Sequence, residues 1–267
     1  MRAVRDLARP HRGRLLVVAV ALAAVLGGLA ACGGGDDDAG ADDEAAATGD
    51  EAGAGADQAT TTTLPPYVTW VAEARLPQIE VFPEPGAGEP SHVLANPNEN
   101  GAPLVFLVDG QDVSGAWLPV HLPVRPNGTT GYVRAADVEL ARNDYAVRVE
   151  LGAHRLTVMR EGEPILEAPI GVGTTETPTP GGVYYIKELL QPPNPDGPYG
   201  AYAYGLSGFS NVLDSFNGGE GVIGIHGTND PSSIGQDVSH GCIRVTNDVI
   251  TEMTRYLPLG TPVEIVA

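Results

Sequence analysis

Hydrophobic and polar positions change rhythm four times along the chain. Residues 15–26 form an unbroken apolar run preceded by Arg2, Arg5, Arg9, Arg12 and Arg14. The run is shorter than the roughly 20 residues a bilayer span needs and ends in small residues, the pattern of an export signal. Residues 33–66 have no apolar period. From residue 67, short apolar alternations predict strands over 78–82, 92–95, 104–108, 116–122, 131–135 and 138–140. They are broken by Pro-Glu-Pro-Gly, Asn-Pro-Asn-Glu-Asn-Gly and Arg-Pro-Asn-Gly, which are turn formers. Beyond Ala141-Arg142-Asn143-Asp144 the texture changes again. Residues 146–151 and 155–160 alternate with period two around Gly152-Ala153-His154, which predicts a hairpin. Further strands are expected over 165–172, 183–189, 222–226 and 263–266. Helical spacing is clear only over 247–257. There Val249, Ile250, Met253, Tyr256 and Leu257 share a face, Thr246 or Asn247 is positioned as N-cap, and Pro258 stops the run. Residues 190–221, rich in Pro, Gly and Tyr, are expected to form a loop or lid over a cleft, or a plain surface insertion.

Composition agrees with a mainly β chain: 35 Gly and 23 Pro in 267 residues disfavour a helical bundle. The balance of 15 basic against 34 acidic residues, net −19, excludes a nucleic-acid binder, because phosphate binding needs a basic face. Residues 33–66 hold nine of the acidic residues and no basic one, so they are expected to be a disordered linker. Such a chain reaches about 30 Å, which suits either a tether or an untuned spacer. The expected organisation is an export signal over 1–32, the linker over 33–66, a small β domain over 67–141 and a larger β domain over 142–267.

The two cysteines make neither a disulfide framework nor a four-thiolate zinc site. Leu29-Ala30-Ala31-Cys32 looks like a bacterial lipobox, so Cys32 is expected to be lipidated and to hold the protein on the outer face of the plasma membrane. A simple A-x-A cleavage or an uncleaved anchor is the alternative. The other cysteine lies in Ser239-His240-Gly241-Cys242-Ile243-Arg244. A lone thiol in an exported protein is open to oxidation, and a buried Cys serving as a small apolar residue is the plain reading. His240, Ser239 and Arg244 are poor core residues, however, and a thiolate nucleophile needs a base and a group to orient that base. His226 ends an apolar strand 16 residues earlier, in Ile225-His226-Gly227-Thr228. His11, His92, His121 and His154 have no comparable neighbours.

His226-Gly-Thr followed by Ser239-His240-Gly241-Cys242-Ile243-Arg244-Val245 resembles the signature of the L,D-transpeptidase catalytic domain. The likeness covers roughly 143–267 and includes Gly171-Val172-Gly173 and Thr177-Pro178-Thr179-Pro180-Gly181. It implies a β-sandwich with a Cys–His site and no cofactor or metal, acting on peptidoglycan stem tetrapeptides. A thioester would form with loss of D-Ala, and an acceptor amine would complete a 3→3 cross-link; carbapenems would acylate the same thiol. By the same resemblance Cys242 is the nucleophile and His226 the base. A carbonyl of Gly227 or Thr228 would orient the imidazole, and the N–H groups of Gly241 and Cys242 would serve the oxyanion. His240 and Ser239 would shape the Cys242 loop. Arg244, Ser239, Thr228, Tyr202 and Tyr204 are the candidate substrate contacts; Arg244 would grip a carboxylate or form a structural ion pair. Gly115-Ala116-Trp117-Leu118-Pro119-Val120 and Gly131-Tyr132-Val133 weakly resemble the end of a bacterial SH3-like domain. Three alternatives stay open: a carboxypeptidase or endopeptidase using the same pair, zinc held by His226, His240 and Cys242 with Asp230 or Asp237, and a non-catalytic wall-binding lipoprotein.

Overall fold

The computed structural model describes Arg2–Ala3 and residues 68–215 and 219–267. The expected signal, lipobox and linker therefore lie outside the described residues, apart from the two-residue strand β1 (Arg2–Ala3).

Seven strands precede the change of texture: β2 (Thr69–Ala74), β3 (Gln78–Val81), β4 (His92–Ala95), β5 (Val105–Leu107), β6 (Trp117–His121), β7 (Thr130–Arg134) and β8 (Val138–Asn143). They form a three-stranded sheet, β5-β2-β8, and two hairpins, β3-β4 and β6-β7. Alternation does the folding: in β6, Leu118 and Val120 point inward between half-buried neighbours. These side chains join Ala72, Ile79, Val81, Phe106 and Val133 in one apolar cluster.

The rest comprises β9 (Tyr145–Glu150), β10 (Arg155–Arg160), β11 (Glu163–Pro169), β12 (Val172–Gly173), β13 (Gly182–Gln191), β14 (Ala203–Phe209), β15 (Val222–His226), β16 (Asp237–Ser239), β17 (Ile243–Arg244), α1 (Asn247–Met253) and β18 (Pro262–Val266). The main sheet runs β11-β10-β9-β18-β13-β14-β15-β17, with β1 paired to the end of β13. Strand β13 makes this a sandwich. Its first half pairs with β18 through Gly182–Tyr185, and its second half pairs with β14 from Ile186 onward. Both halves bury against one core, in which Val147, Leu156 and Val158 meet Leu206, Ile223, Ile225, Ile250 and Met253. Helix α1 follows the Cys242 segment, with the Thr246 side chain accepting from the Val249 N–H as its cap. The fold is mainly β with one short α-helix, as the periodicity predicts, although that helix ends at Met253 and does not run on to 257. Among the described residues, no helix is long and apolar enough to cross a membrane.

Residues 190–221 correct the expectation of a continuous loop. Strand β14 runs through them with every residue buried. Its sequence, Ala-Tyr-Gly-Leu-Ser-Gly-Phe, hides a central strand because neighbouring side chains need its bare positions. A Cβ on Gly208 would lie 2.3 Å from the Tyr184 ring, and one on Gly205 would lie 2.5 Å from Glu188 Oε1. The flanking pieces remain loops. The second is clamped by the turn after β6. The Arg125 guanidinium donates to the carbonyls of Ser210, Leu213 and Glu220, and Asn127 Nδ2 donates to the Phe209 carbonyl.

Candidate active site

The site follows from one piece of register. Strands β15 and β17 are parallel, with Ile225 opposite Ile243 and His226 opposite Arg244. Cys242, one residue before Ile243, therefore lies beside Gly224. Side chains two residues apart share a face of a sheet. Cys242 and Arg244 thus stand on the same face as His226, with the thiol and the imidazole as diagonal neighbours. Both line the same two clefts.

His226 is 5% exposed, and its Nδ1 donates to the Gly227 carbonyl at 2.6 Å. That bond leaves Nε2 as the acceptor, the tautomer a base needs. Tyr199 packs edge-on against the imidazole, with ring centroids 5.0 Å apart. It gets there because Gly200, at φ +64°, presses its backbone onto Gly227 and Asn247; a Cβ there would lie 2.0 Å from Asn247 Oδ1. Desolvation lowers the His226 pKa to about 4, and the nearby Arg244 charge adds to the shift. Burial pushes the Cys242 thiol up from 9.0, against a smaller opposing pull from a Gly224 backbone hydrogen bond and the Arg244 charge. The resting pair is therefore a neutral thiol beside a neutral imidazole. Proton transfer must accompany attack, which suits a nucleophile–base pair in a water-poor site.

Ser239 and Gly241 shape the turn that presents Cys242. Ser239 Oγ donates to the Cys242 carbonyl at 2.6 Å and accepts the Gly241 N–H at 3.1 Å, while Gly241 sits at φ +114°. This corrects the expected oxyanion pair: the Gly241 N–H is occupied by Ser239, and of the two expected donors the Cys242 N–H is the one left for an oxyanion. Ser239 is 2% exposed and supports the loop, at the wall of the narrower cleft. His240 lines the narrower cleft with Arg244. The Arg244 Nε is buried without a hydrogen-bond partner among the described residues.

Three candidate substrate contacts are placed elsewhere. The Tyr204 side chain is fully buried, and its one hydroxyl proton is shared between the carbonyls of Met253 and Leu257, at and just beyond the end of α1. Tyr202 packs against the core, and its carbonyl accepts the Gly227 N–H. Thr228 is 4% exposed and works in the turn: its N–H donates to Asn247 Oδ1, and its Oγ1 accepts from the Asp230 N–H. The tyrosine that faces the site is Tyr199, and Gly200 beside it was the available signal. Among the described residues, no cluster of three His, Cys, Asp or Glu is placed to hold a metal ion, and Asp237 instead meets His154 Nε2 at 2.8 Å.

The lowered imidazole pKa predicts the pH response. Activity that depends on neutral His226 is expected to hold from neutrality down to about pH 5 and to fall as pH drops through about 4. An acid limb centred near 6.5 in kcat/KM would contradict this. The unfolded imidazole titrates near 6.5 and therefore binds more protons than the folded one between the two values. Thermal stability should accordingly decline as pH is lowered from about 6.5 towards 4.

Residues 144–265 match the L,D-transpeptidase catalytic domain model, YkuD. A Bacillus subtilis protein named as an L,D-transpeptidase, YkuD, is 40% identical over 121 residues, covering 45% of this chain and 65% of that protein. A second Bacillus subtilis protein so named, YqjB, is 35% identical over 105 residues, covering 35% of this chain and 55% of that protein. The chain therefore matches somewhat under two thirds of the length of these curated relatives. Among solved structures, the Bdellovibrio bacteriovorus protein Bd1075 is 30% identical with a TM-score of 0.37, covering 46% of this chain and 47% of that one. Residues 144–265, which contain both Cys242 and His226, are thus similar in sequence to the L,D-transpeptidase catalytic domain.

Proposed function

We propose that this protein is a cysteine-dependent L,D-transpeptidase acting on peptidoglycan stem tetrapeptides. Cys242 Sγ attacks the carbonyl between the third residue, a diamino acid, and the terminal D-Ala. His226 Nε2 takes the thiol proton and delivers it to the departing D-Ala amine, leaving a thioester. An acceptor amine then attacks the thioester, gives its proton to His226 and forms the 3→3 cross-link, releasing the thiol. The Cys242 N–H receives the developing oxyanion, where a preorganised donor in a desolvated site is worth most. Arg244, beside both groups, stabilises the thiolate and can pair with a substrate carboxylate. The observation that carries this reading is the diagonal placement of a tautomer-fixed imidazole and a half-buried thiol in one cleft.

Incubating the purified protein with tetrapeptide muropeptides tests the proposal by mass spectrometry. Release of D-Ala with cross-linked dimer supports it, whereas tripeptide alone would assign a carboxypeptidase instead. The proposal extends to the N-terminus, where Cys32 carries lipid and the acidic segment spaces the enzyme from the membrane. Incorporation of a palmitate analogue that is lost in Cys32→Ala supports that part; unchanged labelling removes it.

A further inference from the structure

Cys242 stands at one end of a row that crosses four strands. Gly224 lies beside it on β15, Gly205 is opposite Gly224 on β14, and Glu188 is opposite Gly205 on β13. Neighbouring strands are about 4.8 Å apart, so the row spans roughly 14 Å between backbones. Its two middle positions carry no side chain. Glu188 reaches back along this bare floor, and its Oε1 rests against Gly205. The gap from the carboxylate to the sulfur is therefore about two strand spacings, roughly 10 Å. Glu188, Gly205, Gly224 and Cys242 all line the wider cleft, whose volume is about 820 Å³.

Glu188 is 3% exposed, which is unusual for a carboxylate, and it is held in place. Asn98 and Asn100, from the loop after β4, donate to its Oε2 at 2.9 and 3.0 Å. Lys187 Nζ stands 3.8 Å from Oε1, beyond hydrogen-bond length, and leans over the Phe209 ring. Glu99 and Glu220 also line this cleft, and among the described residues lining it none is Lys or Arg. The narrower cleft, which shares Cys242 and His226 with the wider one, holds Arg244. The two clefts that meet at Cys242 therefore carry side chains of opposite charge.

We infer that Glu188 is a specificity-determining residue that binds the side-chain ammonium of the donor peptide's third residue. This deepens the acyl-transfer reading and rests on it. When the donor carbonyl is at Cys242 Sγ, an ammonium on a four-carbon stem extends roughly 6 Å from its Cα along the glycine floor, and a charge-assisted hydrogen bond spans the remainder. The amine that attacks the thioester must sit against the sulfur, so the group met by Glu188 is the one that does not react. Asn98 and Asn100 hold the carboxylate at the right depth, which makes the segment before Ala141 part of the selection.

The test compares three synthetic donors with the full-length protein: tetrapeptides with lysine, Nε-acetyl-lysine or norleucine in third place. The readout is kcat/KM for D-Ala release, with Cys242 alkylation by iodoacetamide as a separate measure of site integrity. Wild type is expected to prefer lysine over both neutral residues by about tenfold or more, and Glu188→Gln is expected to bring that ratio close to one. Equal rates for the three donors in wild type overturn the assignment without any variant. A preference that survives in Glu188→Gln, with all rates lowered alike, also overturns it and makes Glu188 a structural tie. No D-Ala release from any donor while Cys242 still alkylates overturns the acyl-transfer reading, and this assignment with it.

Discussion

Cys242→Ala is expected to abolish D-Ala release and covalent capture by a carbapenem, a loss of roughly 10³-fold or more. The domain should nevertheless melt close to the wild-type temperature. Cys242 is half-buried at a cleft wall and is not part of the main apolar cluster, so removing the sulfur leaves no sealed cavity. The turn that holds it is built from Ser239 Oγ, the Gly241 N–H and the Cys242 carbonyl, none of which the substitution touches. Intact-mass spectrometry after carbapenem treatment reads the chemistry, and calorimetry reads the fold. Adduct formation in Cys242→Ala would relocate the nucleophile and defeat the mechanism.

His226→Ala is expected to lower the acylation rate at neutral pH by roughly 10²–10⁴-fold, the usual worth of a positioned base. Its pH dependence separates a base from a merely structural residue. The thiol pKa lies above 9.0 because burial dominates, so little thiolate exists near neutrality and the imidazole supplies the proton acceptor in wild type. Without it, solvent hydroxide must do that work. The variant's rate should therefore climb steadily with pH until the thiol ionises, while wild type stays flat. A flat profile for His226→Ala, at any rate level, would show that His226 does not take the proton.

Much of the fold was legible because alternation and turn chemistry agreed locally. Strands β4, β10 and β15 match the predicted ranges residue for residue, and α1 begins at the predicted cap. Strand β14 was hidden because its Gly and Ser residues answer to Tyr184 and Glu188, which only tertiary contact brings together. Strand β2 was missed for a related reason: its burial pattern is not a clean alternation, since it serves neighbours on both faces. At the site, residue chemistry pointed to Cys242 and His226, which the fold brings to the same clefts, but where the other side chains face depended on direction. The Tyr204 hydroxyl turns to the end of α1, while the bend at Gly200 sets the Tyr199 ring against His226. Glu188 could not be read at all, because its partners Asn98 and Asn100 lie some 90 residues away in sequence.

Strand β2 carries a consequence for dissecting the molecule. Val71 packs in the large core with Val105 and Leu107, while Ala72 and Ala74 belong to the smaller cluster. Val71 also fits against Gly260, where a Cβ would lie 2.4 Å from its side chain. One rib is thus mortised into both halves of the protein. Cutting the gene at the change of texture would strip the C-terminal fragment of part of its own interior and leave an oily scar where Val71, Val105 and Leu107 had been. Fragments begun near residue 143 should clump on expression, and a useful truncation must start ahead of Thr69.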